Sequence, residues 1–324
     1  MTYKCIIIGL GQIGMGYDLE HEKDKVYTHA KAFSESPDFD LIGGVDLSKT
    51  KRDLFSQKYK VNTYLDIESA IKVKRADLII IASPTEKHYS ILKQILNCSL
   101  PKAVLCEKPL AFDIHDAEEM VNLCKKYGVK LFVNYMRRSD PGVIEIKKRI
   151  KSRKILTPIK GVVWYSKGFI HNGSHFFNLL EFWLGTYIKS QVLSSGRSLD
   201  NSDSEPDVEV DFKNGKVIFI SAWEEAFSHY TIELVSKSGR LRYDNGGELI
   251  TWNSVQIDPD IPGYQILKNV PEIISNDMEH YQRNVANELK KAIEKKSSNI
   301  STGEESLNTL KAMKEIINQG EKWI

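Results

Sequence analysis

Cysteine is scarce in this chain. Four cysteines occur in 324 residues (Cys5, Cys98, Cys106 and Cys124), all in the first half and none in a C-x-x-C pair. That pattern argues against a disulfide framework and reads as reduced thiols in a cytoplasmic protein. Long hydrophobic runs are missing too. None approaches the roughly 18 residues that a membrane span needs. The opening "MTYKCIIIGLG" lacks the apolar core and cleavage site of a secretory signal. Neither sign of charge is in excess: 45 basic and 43 acidic side chains leave a formal net charge of +2. So balanced a count gives no electrostatic argument for nucleic acid or an anionic membrane as partner. The local exception, Lys147 to Lys154 ("KKRIKSRK"), reads as the solvated end of a helix. Repeats of fixed period and low-complexity tracts are also absent.

What is present suits a globular protein with two cores, given 41% hydrophobic and 27% charged residues over this length. In residues 1–135 short apolar runs alternate with helical segments. "KCIIIGLG", "DLIGGVD" (Asp40 to Asp46), "ADLIIIAS" (Ala76 to Ser83), "KAVLCEKP" and "KLFVNY" (Lys130 to Tyr135) are five such runs. Continuous Val/Ile/Leu stretches mark strands buried on both faces, as in parallel sheets. The helix between the last two has Asp113 as N-cap and Gly128 as stop. This is the grammar of βαβ units, and the expected fold class is α/β with a doubly wound, Rossmann-type first domain.

The grammar changes after Pro141. A helix ("GVIEIKKRI"), a strand ("IKGVVWYSKGF") and a second helix ending near Gly185 are followed, from Val208, by strands separated by turns at Asn214-Gly215, Ser238-Gly239 and Asn245-Gly247. Residues 136–301 are therefore expected to form an α+β domain with an open, mainly antiparallel sheet and a long amphipathic helix near its end. A last helix from Thr302, opened by a Thr302/Glu305 capping box, is expected to pack back on the first domain.

"GLGQIG" places Gly9, Gly11 and Gly14 around Gln12 and Ile13 directly after the first strand. Glycines there allow a tight turn and close approach of the backbone to a pyrophosphate, whose charge the following amides would bind. Asp46, ending the second strand, would accept the adenosine ribose hydroxyls. It lies 32 positions after Gly14, beyond the usual spacing of about 20. The excess, "MGYDLEHEKDKVYTHAKAF", reads as an insertion before or within the first helix. Asp46 favours NAD, although Lys49, Lys51 and Arg52 leave NADP open.

Further motifs follow in order. "CEKPL" (Cys106 to Leu110) comes after the fourth run. "SPTEKHY" brings Ser83, Pro84 and His88 after the third, "NYMRRSDP" runs from Asn134 to Pro141, and "HNGSHFFNLLEFWLG" spans 171 to 185. Together with the glycine loop, they make the whole chain resemble the glucose–fructose oxidoreductase/inositol dehydrogenase (Gfo/Idh/MocA) family. The resemblance implies an NAD- or NADP-dependent oxidoreductase acting on a sugar, polyol or nucleotide-linked sugar. It also implies a homodimer or homotetramer built on the open sheet faces. By carry-over, Lys108 holds the reacting hydroxyl, Pro109 follows a cis bond, and His175 acts as acid/base. His171 and Asn178 stand where the family often carries Asp.

The residues make chemical sense in these roles. Hydride leaves a carbon only as its hydroxyl loses a proton, so one group must hold the oxygen and another must exchange protons near neutrality. Lys108 and His175 are the candidates. Glu107 is read as orienting the lysine or touching ribose. Ser83, Pro84, His88 and Asn134 are assigned to the cofactor, as are Glu107 and Lys108 beside their other roles. Tyr135, Arg137, Trp164, His171 and Asn178 are assigned to the substrate, with core packing or carboxylate pairing as their ordinary alternatives. A metal held by His171 and His175 is disfavoured because the helix starts only at Gly173-Ser174. The Y-x-x-x-K pairs at Tyr27 and Tyr89 are common enough to arise by chance. A cofactor-binding sensor or scaffold without catalysis stays open as the alternative.

Overall fold

The computed structural model describes residues 2–19, 24–73, 75–199, 203–223 and 226–321. It divides into two compact units: Met1–Ser139 with Glu279–Asn308, and Asp140–Met278 with Thr309–Ile324. The Tyr281–Ile293 helix, expected from sequence in the second domain, falls in the first unit. Its Val285, Ala286 and Leu289 join Cys5, Ile7, Phe33 and Phe39 in one buried cluster.

The first unit is a twisted parallel sheet. Its strands are β1 (Tyr3–Ile8), β2 (Phe39–Val45), β3 (Asn62–Tyr64), β4 (Leu78–Ile81), β5 (Ala103–Cys106) and β6 (Lys130–Val133). Their spatial order is β3-β2-β1-β4-β5-β6, and a short strand, Ser301–Thr302, adds antiparallel to β6. This is a Rossmann order, with its reversal between β1 and β4, where ligands bind in such sheets. The five strands read from sequence are buried as their composition requires. The short β3 went unread because its three residues are exposed or half-buried and carry no apolar run.

The looped-out segment after the glycine turn has a clear construction. Met15 and Gly16 donate their amides to Gly11, and Tyr17 donates to Gln12, forming one helical turn. In an unbroken helix the carbonyls of Ile13 and Gly14 would accept from amides four residues on. Here they accept from His29 and Ala30, at 3.1 and 2.9 Å, sixteen residues on. Helix α1 (His29–Glu35) thus resumes where the turn stopped, with twelve residues excluded from its path. Without those twelve, Asp46 would follow Gly14 by twenty positions, the ordinary spacing.

In the second unit the helix Pro141–Lys151 starts at Asp140. The Asp140 carboxylate accepts the amides of Gly142 (2.8 Å), Val143 (3.1 Å) and Asp277 (2.7 Å). The large sheet runs from Tyr187–Ser194 at one side through Asp207–Phe212, Gly215–Ser221, Ile159–Tyr165, Thr231–Ser236, Gly239–Asp244 and Leu249–Ile257. It is mainly antiparallel, with one parallel pairing between Ile159–Tyr165 and Gly215–Ser221. Val163 and Tyr165 are buried on one face with Phe169, Phe177 and Phe219. The terminal helix, Gly303–Glu321, opens with the reciprocal capping box: Thr302 donates its amide to Glu305 at 2.9 Å, and Glu305 donates to the Thr302 hydroxyl at 3.2 Å. No helix among the described residues is long and apolar enough to cross a membrane.

Asp140 satisfies two helix amides and one loop amide from a buried position. Asp140→Ala is therefore expected to cost about 2 kcal/mol of stability, measured as a lower urea midpoint. An unchanged midpoint would show that water replaces the cap.

Candidate active site

The candidate residues of the first unit sit just beyond the carboxyl ends of its strands. The glycine turn follows β1, Asp46 follows β2, Ser83 and Pro84 follow β4, Glu107 and Lys108 follow β5, and Asn134 follows β6. One sheet edge gathers them because parallel strands all present the same end.

The glycine turn is built for close approach. Gly9 has φ +97°, and a Cβ there would stand 2.5 Å from the Ala82 carbonyl oxygen. The β1 and β4 loops therefore touch only because position 9 has no side chain. A Cβ on Gly14 would strike the carbonyl of Gly9, whereas one on Gly11 would meet nothing within 4 Å. That open side at Gly11 is where a pyrophosphate would lie. Asp46 is oriented from both ends: Leu10 donates its amide to Oδ2 at 2.9 Å, and Ser48 to Oδ1 at 2.8 Å. Ser83 Oγ is buried with no hydrogen-bond partner among the described residues. A cradle, a fixed acceptor and an unused hydroxyl fit a dinucleotide: Gly11, Gln12 and Ile13 for the phosphates, Asp46 for the ribose, and Ser83 nearer the reacting end.

Of the basic residues near Asp46, Lys49 pairs with Asp53 at 2.6 Å, and Arg52 donates to the carbonyls of Asp46 (2.7 Å) and Leu47 (2.9 Å). Lys51 stands 4.0 Å from the Asp46 carboxylate.

Glu107 is the centre of a buried polar cluster. His29 Nε2 lies 2.7 Å from Oε1, and Asn134 Nδ2 donates to the same oxygen at 2.6 Å. Burial alone would raise this carboxyl, but the bond and charge of His29, the Asn134 amide and the nearby Lys108 outweigh it and hold Glu107 below the ordinary carboxylate range. Lys108 is half-buried at the end of β5, and the Lys108–Pro109 peptide bond is cis. His88 is fully buried: Nδ1 lies 3.1 Å from the Leu110 carbonyl and Nε2 2.9 Å from that of Ser83. Its ring lies between the loop after β4 and the loop after β5; burial lowers its pKa, and the neutral ring donates to one of the two carbonyls. Tyr135 is buried, and Arg137 is half-buried beside it. Arg138 donates to Glu305 at 3.0 Å and to the Asn299 carbonyl at 3.1 Å.

The second unit carries His171, His175, Asn178 and Trp164. Residues Gly168–Gly173 form a π-helical turn that leads into the helix Ser174–Leu184. The sequence reading missed both this turn and the clasp that holds it. Asp203 accepts the amides of Ile170 and His171, each at 2.9 Å, and Glu205 accepts that of Gly168 at 3.0 Å. Burial raises Asp203 above the usual range against those amides. Only the acidic run around Asp203 and Glu205 marked this loop in the sequence. His171 is exposed and His175 buried, so the two do not share an environment. Asn178 is buried and donates to Thr309 Oγ1 at 3.0 Å, on the terminal helix. Trp164 alternates with Val163 and Tyr165 and so points to the other sheet face. There it lines a cavity of about 450 Å³ with Val162, Ile220, His229 and Arg242. The structure does not bring Trp164 to the face that carries His175.

A sheet of this order with this edge is a Rossmann-type dinucleotide-binding fold. Residues 3–135 match the family described as "Oxidoreductase family, NAD-binding Rossmann fold" (GFO_IDH_MocA). That match spans less than half of the chain, and over it the chain resembles the Gfo/Idh/MocA family. It is 25% identical over 266 residues to the uncharacterized oxidoreductase YrbE of Bacillus subtilis, covering 74% of this chain and 73% of that one. It is 27% identical over 157 residues to the inositol 2-dehydrogenase of Rhizobium meliloti, covering 48% of this chain and 42% of that protein. The WlbA dehydrogenase of Bordetella pertussis, solved with NADH and UDP-GlcNAcA, shares the fold with a TM-score of 0.75 at 15% identity, covering 100% of this chain and 98% of that one.

Two outcomes test this edge. Gly11→Ala is expected to leave thermal stability unchanged while weakening NAD binding about tenfold or more by calorimetry, since its Cβ enters only the open side. Unweakened binding would remove Gly11 from the cradle. The depressed Glu107 carboxyl contributes stability that is complete above its unfolded value and is lost as pH falls through its folded one. The stability advantage of wild type over Glu107→Gln is therefore expected to shrink below about pH 4 in urea unfolding at stepped pH. A constant difference would contradict the sign.

Proposed function

We propose that this protein is an NAD-dependent dehydrogenase or ketoreductase that moves a hydride between nicotinamide and a hydroxyl-bearing carbon of a polyol, sugar or nucleotide-linked sugar. The observation that carries the reading is the placement of Lys108 on the strand-end edge that also holds the Gly11 cradle and the fixed Asp46 carboxylate. When bound, the nicotinamide supplies the hydride acceptor or donor. The chain's own residues do the rest. Gly11, Gln12 and Ile13 receive the phosphates, and Asp46 accepts the ribose hydroxyls. Asp46 also repels a 2′-phosphate, and with Lys49 and Arg52 engaged elsewhere NAD is preferred to NADP.

Lys108 holds the reacting oxygen, and Glu107 orients it. His175 exchanges the proton that hydroxyl oxidation releases or carbonyl reduction takes up. Tyr135, Arg137 and His171 contact the substrate. The inositol dehydrogenase relative supports a polyol, and the structural neighbour with UDP-GlcNAcA supports a nucleotide-linked sugar. The chain works in the cytoplasm as a homodimer or homotetramer. The open sheet face with exposed Trp164 and Val235 supports such assembly.

Reduction of NAD and NADP is to be followed with a panel of inositols, aldoses and UDP-sugars. Lys108→Ala is expected to bind NAD within about threefold of wild type and to lose about 10³-fold in kcat. Undiminished turnover would overturn the assignment. His171→Asp is expected to change the ranking of substrates while the Kd for NAD stays within about twofold. An equal loss of NAD affinity would move His171 out of the substrate site.

A further inference from the structure

Glu107 draws one of its hydrogen-bond partners from beyond the looped-out segment. His29 is fully buried and is the first residue of α1. A carboxylate only accepts, so the proton in the 2.7 Å contact sits on His29 Nε2. Asn134 donates to the same oxygen at 2.6 Å and also reaches Gln282 Oε1 at 3.3 Å. The other oxygen, Oε2, takes the Lys108 amide at 3.3 Å. One carboxylate therefore links the imidazole to the backbone of the lysine beside it.

The position of His29 has a cause as well. The buried Asp18 closes the base of the excursion: its carboxylate accepts the Tyr27 amide (3.1 Å), the Thr28 amide (2.8 Å) and the Thr28 hydroxyl (2.6 Å). Thr28 then caps α1 by accepting from Lys31 at 3.3 Å. With this clasp shut, His29 and Ala30 reach the carbonyls of Ile13 and Gly14. The imidazole falls where the fourth residue after Ile13 would stand in an uninterrupted helix.

We propose that His29 is a positioning residue for Lys108, acting through Glu107, and that the Asp18 clasp is what delivers it across the excursion. The inference rests on the reading of Lys108 as the residue that holds the reacting hydroxyl. The ionisable groups around Glu107 are His29 from α1, Lys108 and Cys106 on its own strand end, His88 at the head of its helix, and Tyr281 of the Tyr281–Ile293 helix. Of these, His29 supplies a side-chain hydrogen bond to the carboxylate, and its removal takes away the largest of the effects that oppose burial.

The test uses the full chain, labelled with ¹³C at glutamate side-chain carboxyls. Glu107 is assigned by the signal lost in Glu107→Gln. In wild type this carboxyl is expected to titrate below its neighbours. In His29→Leu it is expected to move up by about one pH unit or more, and the acid limb of kcat to follow it, while the Kd for NAD stays within about threefold. His29→Gln, whose amide N–H reaches toward the same oxygen, is expected to restore most of both. If His29→Leu does not fold, His29→Asn, whose amide falls short of the carboxylate, serves in its place.

An unmoved Glu107 titration and pH profile, or no restoration by Gln, overturns the proposal. The two readings fail separately. A Lys108→Ala protein that still turns over sinks the lysine assignment, and the positioning role with it. An inactive Lys108→Ala protein with an unmoved His29→Leu profile sinks only the inference about His29.

Discussion

Two backbone hydrogen bonds splice this nucleotide domain together: His29 to the carbonyl of Ile13 and Ala30 to that of Gly14. A phosphate-binding turn works when its amides are held by a helix that cannot shift. Here the chain leaves that helix after one turn and must rejoin it in register. The buried Asp18 carboxylate makes the return possible by gathering Tyr27 and Thr28. The glycine turn, the start of α1 and the Glu107 cluster all depend on this closure. Cofactor cradle and lysine environment are thus two consequences of one local solution.

The strand-end edge adds a division of labour. Backbone amides fix Asp46, His88 sits between two carbonyls, and side chains fix Glu107. In the second unit the same economy appears in the π-helical turn. Asp203 and Glu205 hold its amides, those of Gly168, Ile170 and His171. π-Helical turns often occur at functional sites, which agrees with a substrate role for this stretch.

Much of the fold was legible because burial writes itself into composition. The Ile6–Ile8, Leu78–Ile81 and Val104–Cys106 runs are fully enclosed strands, and nothing but apolar residues fits there. β3 and the Tyr187–Ser194 strand were not read, since edge strands with one wet face carry mixed sequences. The glycine loop, Asp46 and Lys108 were legible through motif and position. Asp203 and His29 were not, because each acts through a contact made far along the chain, 32 and 78 residues away respectively. The surroundings of Trp164 and Asn178 were not legible for a simpler reason. One turns on strand parity, the other on a partner, Thr309, 131 residues away.

The central claim is that this edge supports hydride transfer between a polyol-type carbon and nicotinamide. The most direct measurement is isotopic: the protein is incubated with NAD and a substrate deuterated at the carbinol carbon, and the recovered cofactor is weighed by mass spectrometry. The account predicts deuterium in the nicotinamide ring of the reduced cofactor and a primary isotope effect under single-turnover conditions. Binding of NAD with no deuterium transferred from any inositol, aldose or UDP-sugar would contradict it.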